Sequence, residues 1–274
     1  TGAIFVLAVS AYFMLRNRDM AFARRSFAIA SAFGLASTFS VILLGDESGY
    51  EVGEVQKVKL AAIEAEWETH PAPAAFTLVG LPNEDTMETD YAVQIPAALG
   101  LIATRSLTEE VTGIKDLIDH AEDRIRNGMV AYGLLEQLRS DGDTPSNREA
   151  FSAVSNDLGY GLLLKRYTEN VIDATEEQIK LAARDTIPQV APMFWTFRVM
   201  VGAGFTMLLL FLVSFYFVTK RKEHETRWLQ IFAIACLPLP WIASEMGWFV
   251  AEFGRQPWAI GEILPTYVAT SHLS

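Results

Sequence analysis

VMVGAGFTMLLLFLVSFYFVT, residues 199–219, runs twenty-one positions without a charge. At 1.5 Å of rise per residue, a helix of that length crosses the roughly 30 Å hydrocarbon core of a bilayer. SFAIASAFGLASTFSVILL, residues 26–44, offers nineteen uncharged positions. A third apolar run begins at Trp228 and continues through IFAIACLPLPWIA to about Phe253. The opening TGAIFVLAVSAYFML, residues 1–15, is apolar but short for a span. It has no initiator Met, basic n-region or cleavage site, so it does not read as a signal peptide. The expectation is an integral membrane protein, truncated so that its first transmembrane helix is entered midway. The fold class follows: all-α, a polytopic membrane helix bundle with a large extracytoplasmic, mostly helical loop.

Charge sets the orientation. Arg16, Arg18, Arg24 and Arg25 crowd the first short connection, and KRKEHETR at 220–227 is likewise basic. The positive-inside rule places both on the cytoplasmic side. Residues 45–190 then lie outside, as do residues 254–274. The formal net charge of −11 is concentrated in the long loop, where residues 45–190 carry 27 Asp and Glu against 12 Lys and Arg. So acidic a surface disfavours nucleic acid as partner and tight docking on anionic headgroups. The expected organisation is a helix end at 1–15, spans at 26–44, 191–219 and 228–253, the loop, and the outer segment. The one cysteine, Cys236, has no partner in the chain for a disulfide and reads as a small buried hydrophobe.

Within the loop, GEVQKVKLAAIEAEWE at 53–68 reads as helix and HPAPAAF at 70–76 as a Pro-rich connection. KDLIDHAEDRIRNGMVAYGLLEQLRS, 115–140, repeats apolar residues at helical spacing and stops before the turn-like DGDTPSN. REAFSAVSNDLGYGLLLKRY, 148–167, is a second candidate. Thr175 followed by Gln178 resembles a capping box opening a third helix through about Thr186, with Pro188 beyond it.

None of His70, His120, His224 and His272 lies in a span, and no zinc pattern, phosphate-binding glycine loop or nucleophile elbow is present. Attention therefore turns to other residue types. Glu245, Trp248 and Glu252 fall at i, i+3 and i+7, on one helical face. Arg255 follows Glu252 by three and can pair with it. Charged residues at membrane depth usually face a cavity or partner and mark a functional path; the pair reads equally as an interfacial helix end. Arg198 and Met200 open the 199–219 run, at the same outer face that Glu252 reaches. A methionine there is ordinarily packing and an arginine ordinarily snorkels. Together with a carboxylate they are also a haem-binding set, since Met ligates haem iron and Arg pairs with propionates. Lys59 and Glu64, five apart in KLAAIEAEWE, point about 140° apart on a helix and read as scattered surface charge.

GDESGYEVGEVQKVKLAAIEAEWETHPAPAAF, IRNGMVAYGLLEQLRS, DLGYGLLLKRYT and GWFVAEFGRQPWAIGEILPT resemble subunit I of cytochrome bd ubiquinol oxidase, the bacterial type with the long quinol loop. The similarity covers essentially the whole chain and matches the middle and later part of that subunit. It implies a quinol:oxygen oxidoreductase of the bacterial inner membrane, with subunit II and small accessory subunits as partners and no nucleic acid. Quinol would be oxidised at the loop, electrons would pass through low-spin haem b and high-spin haem b to haem d, and dioxygen would become water with protons drawn from the cytoplasm. Carried over, Lys59 and Glu64 match the quinol-site lysine and glutamate. Met200 matches an axial ligand of the low-spin haem b, with Arg198 in the same motif. Glu252 matches the axial carboxylate of the high-spin haem b, and Trp248 and Arg255 belong to its surroundings. The family's histidine ligands are expected before residue 1, so the fragment alone is expected to be inactive.

Two other classes fit the composition. A membrane sensor or receptor with an extracytoplasmic helical domain would share the topology, but would not require Met200, Glu252 and GRQPW where they stand. A transporter would place ionisable residues near mid-membrane in broken helices; PLP at 238–240 is a possible break, yet the charges cluster at helix ends.

Overall fold

The computed structural model describes residues 1–69, 71–72, 74–103, 105–106, 108–140 and 144–270. His70 and Pro73 of the Pro-rich connection, residues 141–143 of the turn-like stretch, and His272 lie outside the described residues. In chain order the elements are α1 (Gly2–Leu15), α2 (Met20–Val55), α3 (Lys57–Glu64), β1 (Phe76–Asn83), β2 (Glu88–Ile95), α4 (Ala98–Ala103), α5 (Ile114–Ser140) and α6 (Pro145–Val154). There follow α7 (Leu158–Leu163), α8 (Glu176–Arg184), α9 (Val190–Thr219), α10 (Arg227–Ala235), α11 (Leu239–Phe253), β3 (Trp258–Ile260), β4 (Leu264–Pro265) and α12 (Thr266–Ala269).

Among the described residues, three segments are long and apolar enough to cross a membrane: Met20–Val55, Val190–Thr219 and Arg227–Phe253. The third is interrupted at residues 236–238, between α10 and α11. Pro238 and Pro240 have no N–H to give to the helical ladder, which accounts for the break. The first runs on well past the expected end at residue 44.

The chain divides into two compact units, residues 1–51 with 195–250, and residues 52–194 with 251–274. In the first unit, Ile4, Leu7, Phe27, Leu210, Phe211 and Leu229 are buried together, drawn from α1, α2, α9 and α10. Gly34 admits the Phe211 ring so closely that a Cβ there would lie 2.1 Å from Cε1. Away from this core, Ile29, Phe33, Leu43 and Phe205 are more than 60 % exposed. A large apolar surface of that kind is suited to lipid and costly in water. In the first turns of α2, Arg24 Nε sits 2.6 Å from Glu223 Oε1, and Glu223 is buried. Gln230 Nε2 donates to the Glu223 and His224 carbonyls, closing the α9–α10 connection.

The second unit has its core on α5, α7 and α8, where Ile125, Leu163, Leu164, Val171, Ile179 and Trp258 meet. Thr175 and Gln178 do form a capping box at the start of α8, as expected. Helix α5 matches its expected span closely. Two other expected helices are shorter. Residues 53–68 break at Gln56 and stop at Glu64, because Ala65 takes a left-handed conformation (φ 53°). Its N–H donates to the Ala62 carbonyl and that of Glu66 to the Ala61 carbonyl, a Schellman ending. The 148–167 stretch is split into α6 and α7 by a single turn of 3₁₀ helix, with another after α7. The cause is tight contact: a Cβ on Gly128 of α5 would lie 2.3 Å from the Gly161 nitrogen, so only glycine fits the crossing. The antiparallel hairpin β1–β2 was not expected from the sequence. Asn83 Oδ1 accepts the Asp85 and Thr86 N–H groups and sets the reversal. Beside it, Glu84 Oε1 accepts from the Val190 and Ala191 N–H groups and so caps the first turn of α9.

Candidate functional site

Helix α11 ends in the second unit, where its last carbonyls lack partners within the helix. One of them, at Ala251, accepts a hydrogen bond from Lys59 Nζ of α3 at 3.3 Å. One residue on, Glu252 Oε2 accepts from Arg255 Nη2 at 2.5 Å. Three charges thus converge on this end. Lys59 is held below the ordinary lysine range, chiefly by burial and then by the Arg255 charge, with Glu252 pulling the other way. A lysine so placed gives up its proton more readily than one in water.

Glu64 sits at the C-terminal end of α3 and is buried, 3 % exposed. It does not share a face with Lys59, since the two are five positions apart on the helix. The left-handed turn at Ala65 also directs the chain so that Glu66 and Trp67 are buried. Sequence reading passed over Glu66, whose carboxyl is pushed up to about 7 by burial. Nothing in EAEWE singles it out: Glu64, Ala65, Glu66 and Trp67 are all buried, and the stretch past Glu64 is irregular backbone rather than helix or strand. The two residues are pinned by backbone: the Ile114 N–H donates to Glu66 O at 2.8 Å and the Lys115 N–H to Trp67 O at 3.0 Å. Trp67 Nε1 donates to Thr89 Oγ1 of the hairpin at 2.9 Å.

Met200 and Arg198 fall in the first unit, Glu252 and Arg255 in the second. Met200, half-buried on α9, lies against the backbone of Gly247 on α11; a Cβ there would stand 3.0 Å from its sulfur. Trp248 is 64 % exposed and Glu245 is exposed as well. Among the described residues, no group of three or more His, Cys, Asp and Glu is arranged to hold a metal ion.

The family model described as cytochrome bd terminal oxidase subunit I matches residues 1–274. The chain belongs to that family. Over its whole length it is 47% identical to the cytochrome bd-II ubiquinol oxidase subunit 1 of Escherichia coli (strain K12), covering 53% of that protein. It is 27% identical over 271 residues to the cytochrome bd ubiquinol oxidase subunit 1 of Bacillus subtilis (strain 168), covering 99% of this chain and 46% of that one. The chain thus spans about half the length of these curated relatives.

For a subunit of the cytochrome bd family, the donors present suit haem iron. The Met200 sulfur packs where Gly247 has no side chain, and a thioether is an axial ligand of electron-transferring haems. Glu252 accepts from Arg255 through one carboxylate oxygen, and the Arg255 side chain is 46 % exposed; arginine is a residue type that pairs with propionates.

Proposed function

We propose that this chain is the quinol-oxidising part of a bacterial respiratory oxidase subunit I, with its long loop on the outer side of the inner membrane. The observation that carries the proposal is the meeting of Lys59, one of the loop's two quinol candidates, with the Ala251 carbonyl at the end of α11, next to the Glu252–Arg255 pair. Haems b and d, when bound, carry the electrons and supply the site where dioxygen is reduced to water. Met200 would hold the low-spin haem b, with Arg198 beside it, and Glu252 the high-spin haem b, with Trp248 and Arg255 around it.

The residues of this chain handle the protons. Ubiquinol, the substrate in the name of the Escherichia coli relative, has two hydroxyls to lose. Lys59, with its proton affinity lowered, hydrogen-bonds one ring oxygen and orients the headgroup. Glu64, buried at the end of α3, accepts a proton as the electron leaves, so oxidation does not build charge on the ring. Each quinol yields two electrons and two protons; the protons are released outside, while those consumed in forming water come from the cytoplasm. Release on one side and uptake on the other together contribute to the proton gradient. Subunit II and small accessory subunits complete the assembly.

The decisive experiment is a dithionite-reduced minus oxidised absorption spectrum of the full-length oxidase purified from membranes, followed by quinol-driven oxygen uptake. Haem b bands with a far-red chlorin band, and uptake that Glu64→Ala impairs without loss of haem, are the expected results. A featureless spectrum from folded protein would overturn the proposal.

A further inference from the structure

The segment that follows the Glu252–Arg255 pair is anchored at several points to helices far away in sequence. We propose that Arg124 is a positioning residue for the quinol-oxidising site: by gripping Glu262 it fixes the 255–267 segment, and through it the end of α11 that Lys59 touches. The inference rests on the proposed function for the identity of the substrate and on geometry for the rest.

Arg124, on α5, uses both sides of its guanidinium. Nε is 2.6 Å from Asp157 Oδ1, and Nη1 is 2.8 Å from Glu262 Oε2. The same group lies 4.0 Å from the centroid of the Tyr160 ring. Tyr160 hydroxyl donates to the other Glu262 oxygen at 3.3 Å. A planar fork held by two carboxylates and a ring face has one available orientation, which lysine cannot reproduce. Asp157 and Tyr160 belong to the α6–α7 stretch, whereas Glu262 belongs to the β3–β4 ribbon, so Arg124 joins three parts of the unit.

Backbone and aromatic contacts reinforce the same junction. Trp258 packs on Tyr160 with ring centroids 5.1 Å apart. Gly159 approaches the Glu262 carbonyl so closely that a Cβ would be 2.1 Å from its oxygen. Tyr267 hydroxyl donates to Leu162 O at 2.6 Å, and the Thr266 N–H to Pro257 O at 2.7 Å. Trp258 is only three residues from Arg255, which holds Glu252, and Glu252 follows the Ala251 carbonyl that Lys59 reaches. A shift of the ribbon therefore has a short covalent path to the site. Misplacement of about 1 Å in such a path can lower a rate or affinity about a hundredfold.

The test uses the complete oxidase with Arg124→Gln, Glu262→Gln and the double variant, assayed with a soluble short-chain ubiquinol. For each single variant we expect the quinol KM to rise about tenfold, with kcat at saturating quinol and the reduced haem spectrum unchanged. The double variant should be no worse than either single one, since both break one contact. Backbone amides of residues 258–266 should exchange with solvent faster in all three, and Arg124→Lys should restore less than half of the lost affinity. A wild-type KM in both single variants, or losses that add in the double variant, would overturn the inference. So would loss of haem together with quinol affinity in both single variants, because Arg124 would then serve folding in general. If the unaltered oxidase itself fails to oxidise quinol, the proposed function falls instead, and amide exchange still decides whether Arg124 holds the ribbon.

Discussion

Glu66 holds its proton to about pH 7 because burial penalises the carboxylate. The unfolded chain titrates the same group near 4.5. Between those values the folded protein binds more protons than the unfolded one, so stability falls as pH rises from about 4.5 through 7 and then levels off. A difference of that size is worth about 3 kcal/mol at neutral pH. Glu66→Gln should remove this component, raising the unfolding temperature at pH 8 relative to wild type while leaving that at pH 4.5 nearly unchanged. A wild-type pH profile in the variant would mean that Glu66 is ionised in the fold. Met200 gives a second residue-scale expectation: Met200→Leu keeps the volume but not the donor, so the low-spin haem b band should vanish while the protein still assembles. An unchanged spectrum would remove Met200 from the ligand set.

Element boundaries show where sequence reading succeeds and where it fails. The apolar helices that contain 26–44 and 199–219 were legible because absence of charge over a membrane's thickness is a property of composition, although the first runs on to Val55. The α8 start was legible because its cap is made by two side chains, Thr175 and Gln178, visible in the string. The stop after Glu64 was not, since a left-handed ending usually announces itself with glycine and here the residue is Ala65. The α6–α7 split was hidden for a different reason: helical periodicity runs through it, and the break is imposed by a crossing with α5 that brings Gly128 against Gly161. That crossing is testable. Gly128→Val would set side-chain carbons inside the Asp157 carbonyl and Gly161 backbone, so the variant should lose about 3 kcal/mol or more, read as a fall in the denaturant midpoint of the loop's fluorescence change. Gly133→Val, on the same helix with nothing closer than 3.6 Å, should cost far less.

At the scale of the molecule, the distribution of charge was legible and the convergence at the end of α11 was not. Lys59 and Ala251 are nearly two hundred positions apart, and nothing in either local stretch announces the contact. Glu252 and Arg255 showed their pairing by spacing alone, whereas their relation to Lys59 needed the fold. The proposed orientation can be checked with thiols introduced into the complete subunit after its cysteines outside this chain are replaced by serine. Cys236, the single cysteine of this chain, is buried. Ser152→Cys should therefore react with a membrane-impermeant maleimide applied to cells whose outer membrane has been opened, and Lys220→Cys only once the inner membrane is breached. The reverse pattern would invert the topology. Arg24 takes on a second meaning in that orientation. During insertion the two halves of its ion pair are not yet together, so the arginine acts as a bare sorting charge that helps retain its end of the helix on the cytoplasmic side. Once the helices assemble, buried Glu223 cancels it. The same side chain is thus a transient address during biogenesis and a permanent strut afterwards, and Glu223→Gln should disturb the assembled protein while leaving its orientation as it was.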